Sequence, residues 1–138
     1  MLLRAPWRAR PSNFDLCEKF DGRASTPKGA RMFEVEAVAD LMVIEVAGVV
    51  RKIRGDAELA RQMRNATQSV SNNIGEGAGR FGKDRRLHFS YAYGSARELR
   101  QQLKFAIAFG HVDDASVERL RELLDRVCAM LWKLTHPR

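Results

Sequence analysis

The stretch KDRRLHFSYAYGSARELRQQLKFAIAFG, residues 83–110, decides the fold class. Its apolar residues recur every three or four positions, which is the spacing of one face of an α-helix. The stretch contains no proline, and Gly110 stands where such a helix is expected to stop. The sequence therefore predicts a long amphipathic helix that starts near Lys83, with a buried face of Phe89, Ala92, Ala96, Leu99, Leu103 and Ala106.

An earlier helix is predicted over about Glu34 to Arg54. Its apolar residues keep the same spacing, and Gly55 stands where a left-handed C-cap favours glycine. Acidic residues interrupt the stretch, so it falls short of the ~20 apolar residues that a membrane-spanning helix needs. We expect a core helix with a buried face of Val35, Val38, Met42, Val49 and Ile53, widened by Leu41 and Ile44.

The next helix is predicted to begin at Asp56, because an aspartate is a good N-cap and Glu58 complements the helix dipole. Its expected buried face ends at Ile74. Four glycines follow closely, and each costs about 1 kcal/mol relative to alanine inside a helix. We predict that this run ends the helix in a tight turn; it consists of Gly75, Gly77, Gly79 and Gly82.

A last helix is predicted from Asp113 or Asp114 to a point before Pro137, again with apolar residues at helical spacing. Four amphipathic helices joined by short connections, with no strand pattern, favour an all-α fold. We predict an antiparallel up-down four-helix bundle over residues 32–138. The proline- and glycine-containing residues 1–31 are expected to form a disordered basic N-terminal tail.

The formal net charge of +7 is unevenly distributed. Residues 51–104 contain twelve basic and five acidic residues, so the positive charge of the bundle belongs to its two middle helices. A basic surface attracts polyanions, and phosphate contacts give an affinity that falls steeply with salt. A solvated cationic face with no partner is the alternative. The predicted nucleic-acid contacts are Arg61, Arg64, Arg80, Lys83, Arg85, Arg86, Arg97, Arg100 and Lys104.

The segment GAGRFGK, residues 77–83, has the spacing of a phosphate-binding P-loop. A P-loop requires serine or threonine at the next position to hold magnesium, and it follows a buried strand. Here Asp84 occupies that position, and the preceding residues have helical periodicity. Nucleotide hydrolysis is therefore not expected, and we predict that the protein is not an enzyme.

The histidines and cysteines form no recognisable ligand set. None of the three histidines has a glutamate three residues before it, as di-iron bundles require, and the two cysteines are far apart. Cys128 is expected to be a small core residue, and Cys17 lies in the predicted tail. We therefore predict no metal and no cofactor, and a cytoplasmic protein with no membrane partner.

A second, semi-apolar stripe runs along the third predicted helix at spacings of three, four and seven residues. Polar groups on such a stripe need hydrogen-bond partners. Spacing would allow Ser69, Asn73 and Glu76 to provide them, within one protomer or across a subunit seam. Glycine inside the helix indicates close approach of another backbone. The stripe consists of Leu87, Tyr91, Gly94, Glu98, Phe105 and Phe109, with Gln102 nearby.

Two segments, RNATQSVSNNIGEGAGR at 64–80 and GSARELRQQL at 94–103, resemble the four-helix-bundle family named for 23S rRNA intervening sequences. The resemblance covers about residues 33–135, and departs from the usual pattern at Gly75 and Arg100. It implies a non-enzymatic bundle similar to the accessory variability protein of diversity-generating retroelements, a ring of five protomers. Residues implied to be structural or at the oligomer interface are Ser69, Asn73, Glu76, Gly77, Gly79, Gly94, Ser95, Glu98 and Gln102.

The resemblance further implies association with nucleic acid and, in retroelements, with a reverse transcriptase. Combined with the basic middle helices, it predicts a homo-oligomer, with five as the expected subunit number, that binds RNA or DNA through phosphates without reading sequence. The alternative hypothesis is a protein-protein adaptor ring that recruits an acidic partner and does not touch nucleic acid.

Overall fold

The structure is a computed structural model that describes residues 28–137, with side chains described from residue 34 onward. Within this range the secondary structure is helical and contains no strand. Most of the predicted tail, residues 1–27, and Cys17 with it, lies outside the described residues. The elements are α1 (Lys28–Lys52), α2 (Ala57–Ala78), α3 (Gly82–Ala108), a short 3-10 helix (Ala115–Val117) and α4 (Glu118–Thr135).

The four helices pack in a closed order around one core. Helix α1 packs on α2 and α4, and α3 packs on the same two helices from the other side. This order confirms a helical bundle, while the antiparallel direction of the helices stays a prediction from their short connections. No helix of the described part has an apolar run long enough to cross a membrane.

The predicted core is largely confirmed. All six predicted face residues of α3, from Phe89 to Ala106, are buried, and so is Cys128 on α4. The prediction that Leu41 and Ile44 widen the buried face of α1 is wrong, since these side chains are 41% and 64% exposed. Among the described elements, α2 and α4 are the main neighbours of α1, and they leave part of its apolar face uncovered.

Three predicted helix boundaries differ from the structure. Helix α4 begins at Glu118, after the 3-10 helix, and not at Asp113 or Asp114. Helix α1 begins at Lys28, six residues before the predicted start and inside the predicted tail. Only Gly29 in this stretch opposes a helix, because the alanine, arginine and methionine that follow are good helix formers. Helix α2 continues through Gly75 and Gly77 to Ala78, so the prediction that the glycine run ends it is wrong at those two positions.

The predicted caps are confirmed. The Asp56 carboxylate accepts a hydrogen bond from the backbone N–H of Leu59 at 3.0 Å, which satisfies one of the free donors at the start of α2. Gly55 and Gly110 both have positive φ angles, of 73° and 77°, in the left-handed region that glycine adopts without strain. These residues separate α1 from α2 and α3 from the 3-10 helix.

Candidate nucleic-acid interface

The turn between α2 and α3 is held by one of the predicted phosphate ligands. Arg85 donates from Nε to the carbonyl oxygens of Arg80, at 2.6 Å, and of Gly77, at 3.3 Å. Its guanidinium also lies 5.1 Å from the ring centre of Phe81. The Arg80 carbonyl lies just beyond α2, and the Gly77 carbonyl also accepts from the backbone N–H of Arg80 at 3.3 Å, so Arg85 adds side-chain bonds to the backbone bonds of the turn. Arg85 therefore stabilises the turn and is only partly exposed.

Several predicted cations form ion pairs on the surface. Arg61 forms two hydrogen bonds with the carboxylate of Glu58, at 2.6 and 2.9 Å. Arg80 donates to Glu76 at 3.2 Å and lies 4.0 Å from Asp84. A cation whose charge is balanced by a neighbouring carboxylate attracts an anion less strongly than an unpaired cation does.

The pair at the start of α2 is strong enough to change the pKa of the carboxyl group. Hydrogen bonds from Arg61 and then from Gln62 favour the ionised carboxylate, and they lower the pKa of Glu58 to about 2. The same pair raises the pKa of Arg61 above its ordinary value, since the adjacent carboxylate favours the charged guanidinium. The two charges therefore persist together at neutral pH.

Arg100 is turned towards α4 instead of lying on the solvent side of α3. Its Nη2 donates to Asp125 Oδ1 at 2.7 Å, and the two side chains are 29% and 27% exposed. Arg100 Nε is buried without a hydrogen-bond partner among the described residues. Arg100 thus links α3 to α4. The sequence predicted that Arg100 and Arg97 both contact phosphate. In the structure Arg100 pairs with Asp125, whereas Arg97 has no carboxylate partner among the described residues.

Three exposed cations on α3 form no ion pair with any residue in the range 34–137. They are Lys83, Arg86 and Arg97. The guanidinium of Arg97 lies 5.9 Å from the ring centre of Tyr93, and the side chain is exposed. The partly exposed Lys104 follows Arg97 by seven residues, or about two turns, on the same side. We call these four residues the α3 basic stripe.

Arg64, one of the two exposed arginines of α2, lies on another side of the bundle. Arg64 is two turns before Ser71, which lines a small cleft together with α1 residues Glu36 and Asp40. The α3 basic stripe instead adjoins Tyr93, whose ring is 5.7 Å from that of Trp132 on α4. The structure therefore does not bring the cations of α2 and α3 onto one continuous surface.

Polar residues between α2 and α3 form a network within the chain. The hydroxyls of Ser69 and Ser95 are 2.7 Å apart, and Asn73 donates to the carbonyl oxygen of Ser69 at 2.9 Å. The Asn73 side-chain oxygen lies 3.2 Å from Nδ1 of His88. Sequence reasoning did not include His88, although its place one helical turn before Ala92, at the edge of the α3 core face, could have indicated it.

The two polar residues of the semi-apolar stripe bond to each other. Gln102 donates from Nε2 to Glu98 Oε1 at 3.2 Å. Gln102 is 3% exposed, and its own Oε1 is buried without a partner among the described residues. Within one chain, the expected bonds from Ser69 and Asn73 to this pair are not formed. Glu76, the third expected partner, bonds to Arg80 instead.

The glycines predicted to be structural have different environments. A Cβ at Gly77 would lie 2.7 Å from Cε1 of Phe89, so α3 packs directly on this glycine. Gly79 is the C-cap of α2, and its N–H bonds back to Gly75. Around Gly94 no atom of the described chain lies within 4 Å of such a Cβ. The expected close approach of another backbone to Gly94 does not occur within one protomer.

The segment that resembles a P-loop has helical surroundings. Gly77 lies in α2 and Lys83 lies in α3, with only a short turn between them. A phosphate-binding loop instead follows a strand and opens one helix. Among residues 28–137, no group of three histidine, cysteine, aspartate or glutamate side chains is placed to hold a metal ion.

Comparison with known proteins identifies one family. A family model described as 23S rRNA-intervening sequence protein matches residues 33–133. The match includes α2, α3 and both segments quoted above, together with most of α1 and α4. Searches of curated proteins and of solved structures found no match.

Proposed function

The chain belongs to the 23S rRNA-intervening sequence protein family, and on that premise we propose that it is a non-enzymatic, homo-oligomeric protein that binds RNA or DNA through phosphate contacts. The α3 basic stripe supports the proposal most directly. Its exposed members Lys83, Arg86 and Arg97 have no carboxylate partner within the described chain. Their charge is therefore available to a polyanion.

The geometry of the stripe favours contact with a phosphate backbone. Arg86 and Arg97 are eleven residues apart, which is about 17 Å along a helix. Two or three phosphates of an extended strand can lie along this distance. Lysine and arginine side chains that contact phosphates fix the position of the nucleic acid but carry no sequence information. We propose binding without sequence preference.

Replacing Lys83, Arg86 and Arg97 together with glutamine tests this proposal. Each phosphate contact contributes about 0.7–0.9 to the slope of log affinity against log salt concentration. The triple variant should therefore lose about 2 to 3 from that slope, and its affinity should fall about 100-fold or more at ~100 mM salt. Fluorescence anisotropy with a labelled RNA and a DNA oligonucleotide measures both quantities.

The matched control removes three exposed cations that do have carboxylate partners. Arg61 pairs with Glu58, Arg119 with Glu45 at 3.1 Å, and Arg126 with Glu34 at 3.9 Å. Changing these three arginines to glutamine alters the net charge by the same amount but should retain most of the affinity. An equal loss in both triple variants would show that net charge alone determines binding, and no loss in either would contradict the proposal.

A narrower form of the proposal is a ring of five protomers that serves a reverse transcriptase. The resemblance described above supports this form, and the genomic neighbourhood tests it: a reverse transcriptase gene with a repeated template should lie nearby. Location inside an rRNA gene would instead favour the intervening-sequence setting. If no nucleic acid binds at low salt, the adaptor hypothesis replaces the proposal.

A further inference from the structure

Large apolar side chains are exposed on only two helices of the described part. Leu41 and Ile44 lie on α1, and four others lie on α3 or at its C-cap. The remaining one, Phe81, is the N-cap residue of α3, and no such residue lies on α2 or α4. Exposed apolar side chains that concentrate on particular faces indicate contact surfaces, whereas single scattered ones do not.

The exposed face of α3 has the spacing of a helix-packing seam. Steps of four, three, four, seven and four residues keep its members on one side over about 33 Å. Its last two aromatic rings stack on each other, with centres 5.8 Å apart. We call this face the α3 apolar stripe; it consists of Leu87, Tyr91, Gly94, Glu98, Phe105 and Phe109.

The outward side of α1 carries a second apolar surface. Steps of four, three and four residues place two small residues at its ends and two large ones in the middle. A Cβ at Gly48 would have no atom of the described chain within 4 Å, so its surface is open. We call this surface the α1 apolar face; it consists of Ala37, Leu41, Ile44 and Gly48.

These two surfaces lie on opposite sides of one protomer. Each of α1 and α3 packs on both α2 and α4, so α1 and α3 occupy diagonal corners of the bundle. Surfaces on opposite sides cannot meet within one chain. A contact between the two surfaces on different copies would be head-to-tail, and it generates a closed ring when the rotation between copies closes.

Charge favours a contact between α1 and α3 over a contact between two identical helices. Residues 34–50 contain four acidic and no basic residues; Glu34 and Glu45 pair with arginines of α4, and the other two carboxylates have no ion-pair partner among the described residues. Residues 82–108 contain six basic and two acidic residues, a net charge of +4. Opposite charges attract during encounter, whereas like-charged surfaces repel each other. The occupant with the matching charge is therefore a second copy of this chain.

We propose that the α1 apolar face of one copy docks on the α3 apolar stripe of the next. The inference rests on the homo-oligomer in the proposed function and assigns its interface. Gly94 supports it: an exposed glycine costs a helix about 1 kcal/mol, and it leaves room for another backbone in the middle of the stripe.

Docking on this stripe leaves two of the proposed phosphate ligands, Arg86 and Arg97, accessible, whereas Lys83 lies one turn before Leu87 on the side of the stripe. Arg86 and Arg97 are one residue before Leu87 and Glu98, so each lies about 100° around the helix from the stripe. The structure places them on the side of α3 nearer α4, as the contact between Arg97 and Tyr93 shows. Substitutions of Arg86 and Arg97 can therefore change nucleic-acid binding without changing the docking surface.

One charged substitution on each surface tests the proposal by light scattering. Ile44→Asp and Tyr91→Asp each place a carboxylate in one of the two surfaces, at exposed positions that the core does not use. Both variants should be monomers at concentrations where the unmodified chain is assembled. Gln68→Asp, at an exposed position of α2 outside both surfaces, is the matched control and should stay assembled. Circular dichroism should show unchanged helix content in all three.

Mixing the two monomeric variants tests the head-to-tail arrangement. The Ile44→Asp chain keeps an intact α3 apolar stripe, and the Tyr91→Asp chain keeps an intact α1 apolar face. An equimolar mixture therefore retains one complete contact and should form a 1:1 dimer that does not grow. If either variant alone stays assembled, or the mixture stays monomeric, the proposed interface is wrong.

The proposed interface and the proposed nucleic-acid binding can fail independently of each other. A monomeric unmodified chain would overturn the interface even if that monomer bound nucleic acid. Weaker binding of single-stranded RNA by Tyr91→Asp at unchanged molecular mass would also overturn it, because the aromatic residues would then be a base-stacking surface. An assembled chain that binds no nucleic acid, and dissociates on both substitutions, would support the interface and contradict the proposed function.

Discussion

Glu58 balances the charge of the neighbouring Arg61. Both oxygens of its carboxylate accept hydrogen bonds from Arg61, and Gln62 adds a third. A phosphate approaching Arg61 must compete with a carboxylate that is already in place. Residues three apart on a helix are neighbours, so the spacing of Glu58 and Arg61 was enough to predict this ion pair. A count of the basic residues alone does not reveal it.

The ion pair between Glu58 and Arg61 can be tested by measuring the pKa of Glu58. Its pKa of about 2 should rise towards the ordinary value of about 4.3 in Arg61→Gln, because the main hydrogen-bond donor is lost. Since the folded-state pKa is depressed, the pair stabilises the protein fully above the unfolded pKa of about 4.3 and loses this effect as pH falls through 2. Carboxyl chemical shifts in NMR measure the titration, and an unchanged pKa in the variant would contradict the assignment.

Helix α2 contains two glycines whose surroundings differ. Gly75 and Gly77 both lie inside the helix, but only Gly77 is buried against another helix. Its missing side chain lets the ring of Phe89 pack directly on the α2 backbone. The free-energy cost of glycine inside a helix predicts that α2 ends at this run. Packing of α2 against α3 outweighs that cost, so the helix continues.

Alanine substitutions at these two glycines should have opposite effects on stability. Gly77→Ala places a Cβ 2.7 Å from a fully buried ring, so it should lower the free energy of unfolding by about 1–3 kcal/mol. Gly75→Ala meets no atom within 4 Å and should raise that free energy by about 0.4–1 kcal/mol. Urea denaturation measures both, and a stabilised Gly77→Ala protein would contradict the packing described here.

The elements themselves were largely predictable from the sequence. Apolar periodicity identified all four helices, and the positions of Asp56, Gly55 and Gly110 fixed boundaries through local chemistry that the structure confirms. Periodicity reports which residues share a face, but not how wide an arc the neighbouring helices cover. For that reason the periodicity predicts that Ile44 is buried, although its side chain is exposed in the structure.

At the scale of the whole molecule, the availability of each cation depends on packing. Arg100 pairs with a carboxylate 25 residues away, and Arg119 pairs with Glu45 on another helix. No spacing rule reveals such pairs before the helices are placed. The sequence predicted a basic surface over two helices, whereas the structure places Lys83, Arg86 and Arg97, which form no ion pair with residues 34–137, along one side of α3. Arg64, on α2, lies on a different side.

The dependence of RNA binding on salt, measured with the unmodified full chain, tests the central claim most directly. At least three exposed cations of the α3 basic stripe are proposed to contact phosphates, so log affinity should fall linearly with log salt concentration with a slope of about −2 or steeper. The affinity should be similar for oligonucleotides of unrelated sequence. Binding that is absent at low salt, or that does not change between ~50 and ~200 mM salt, would contradict the account.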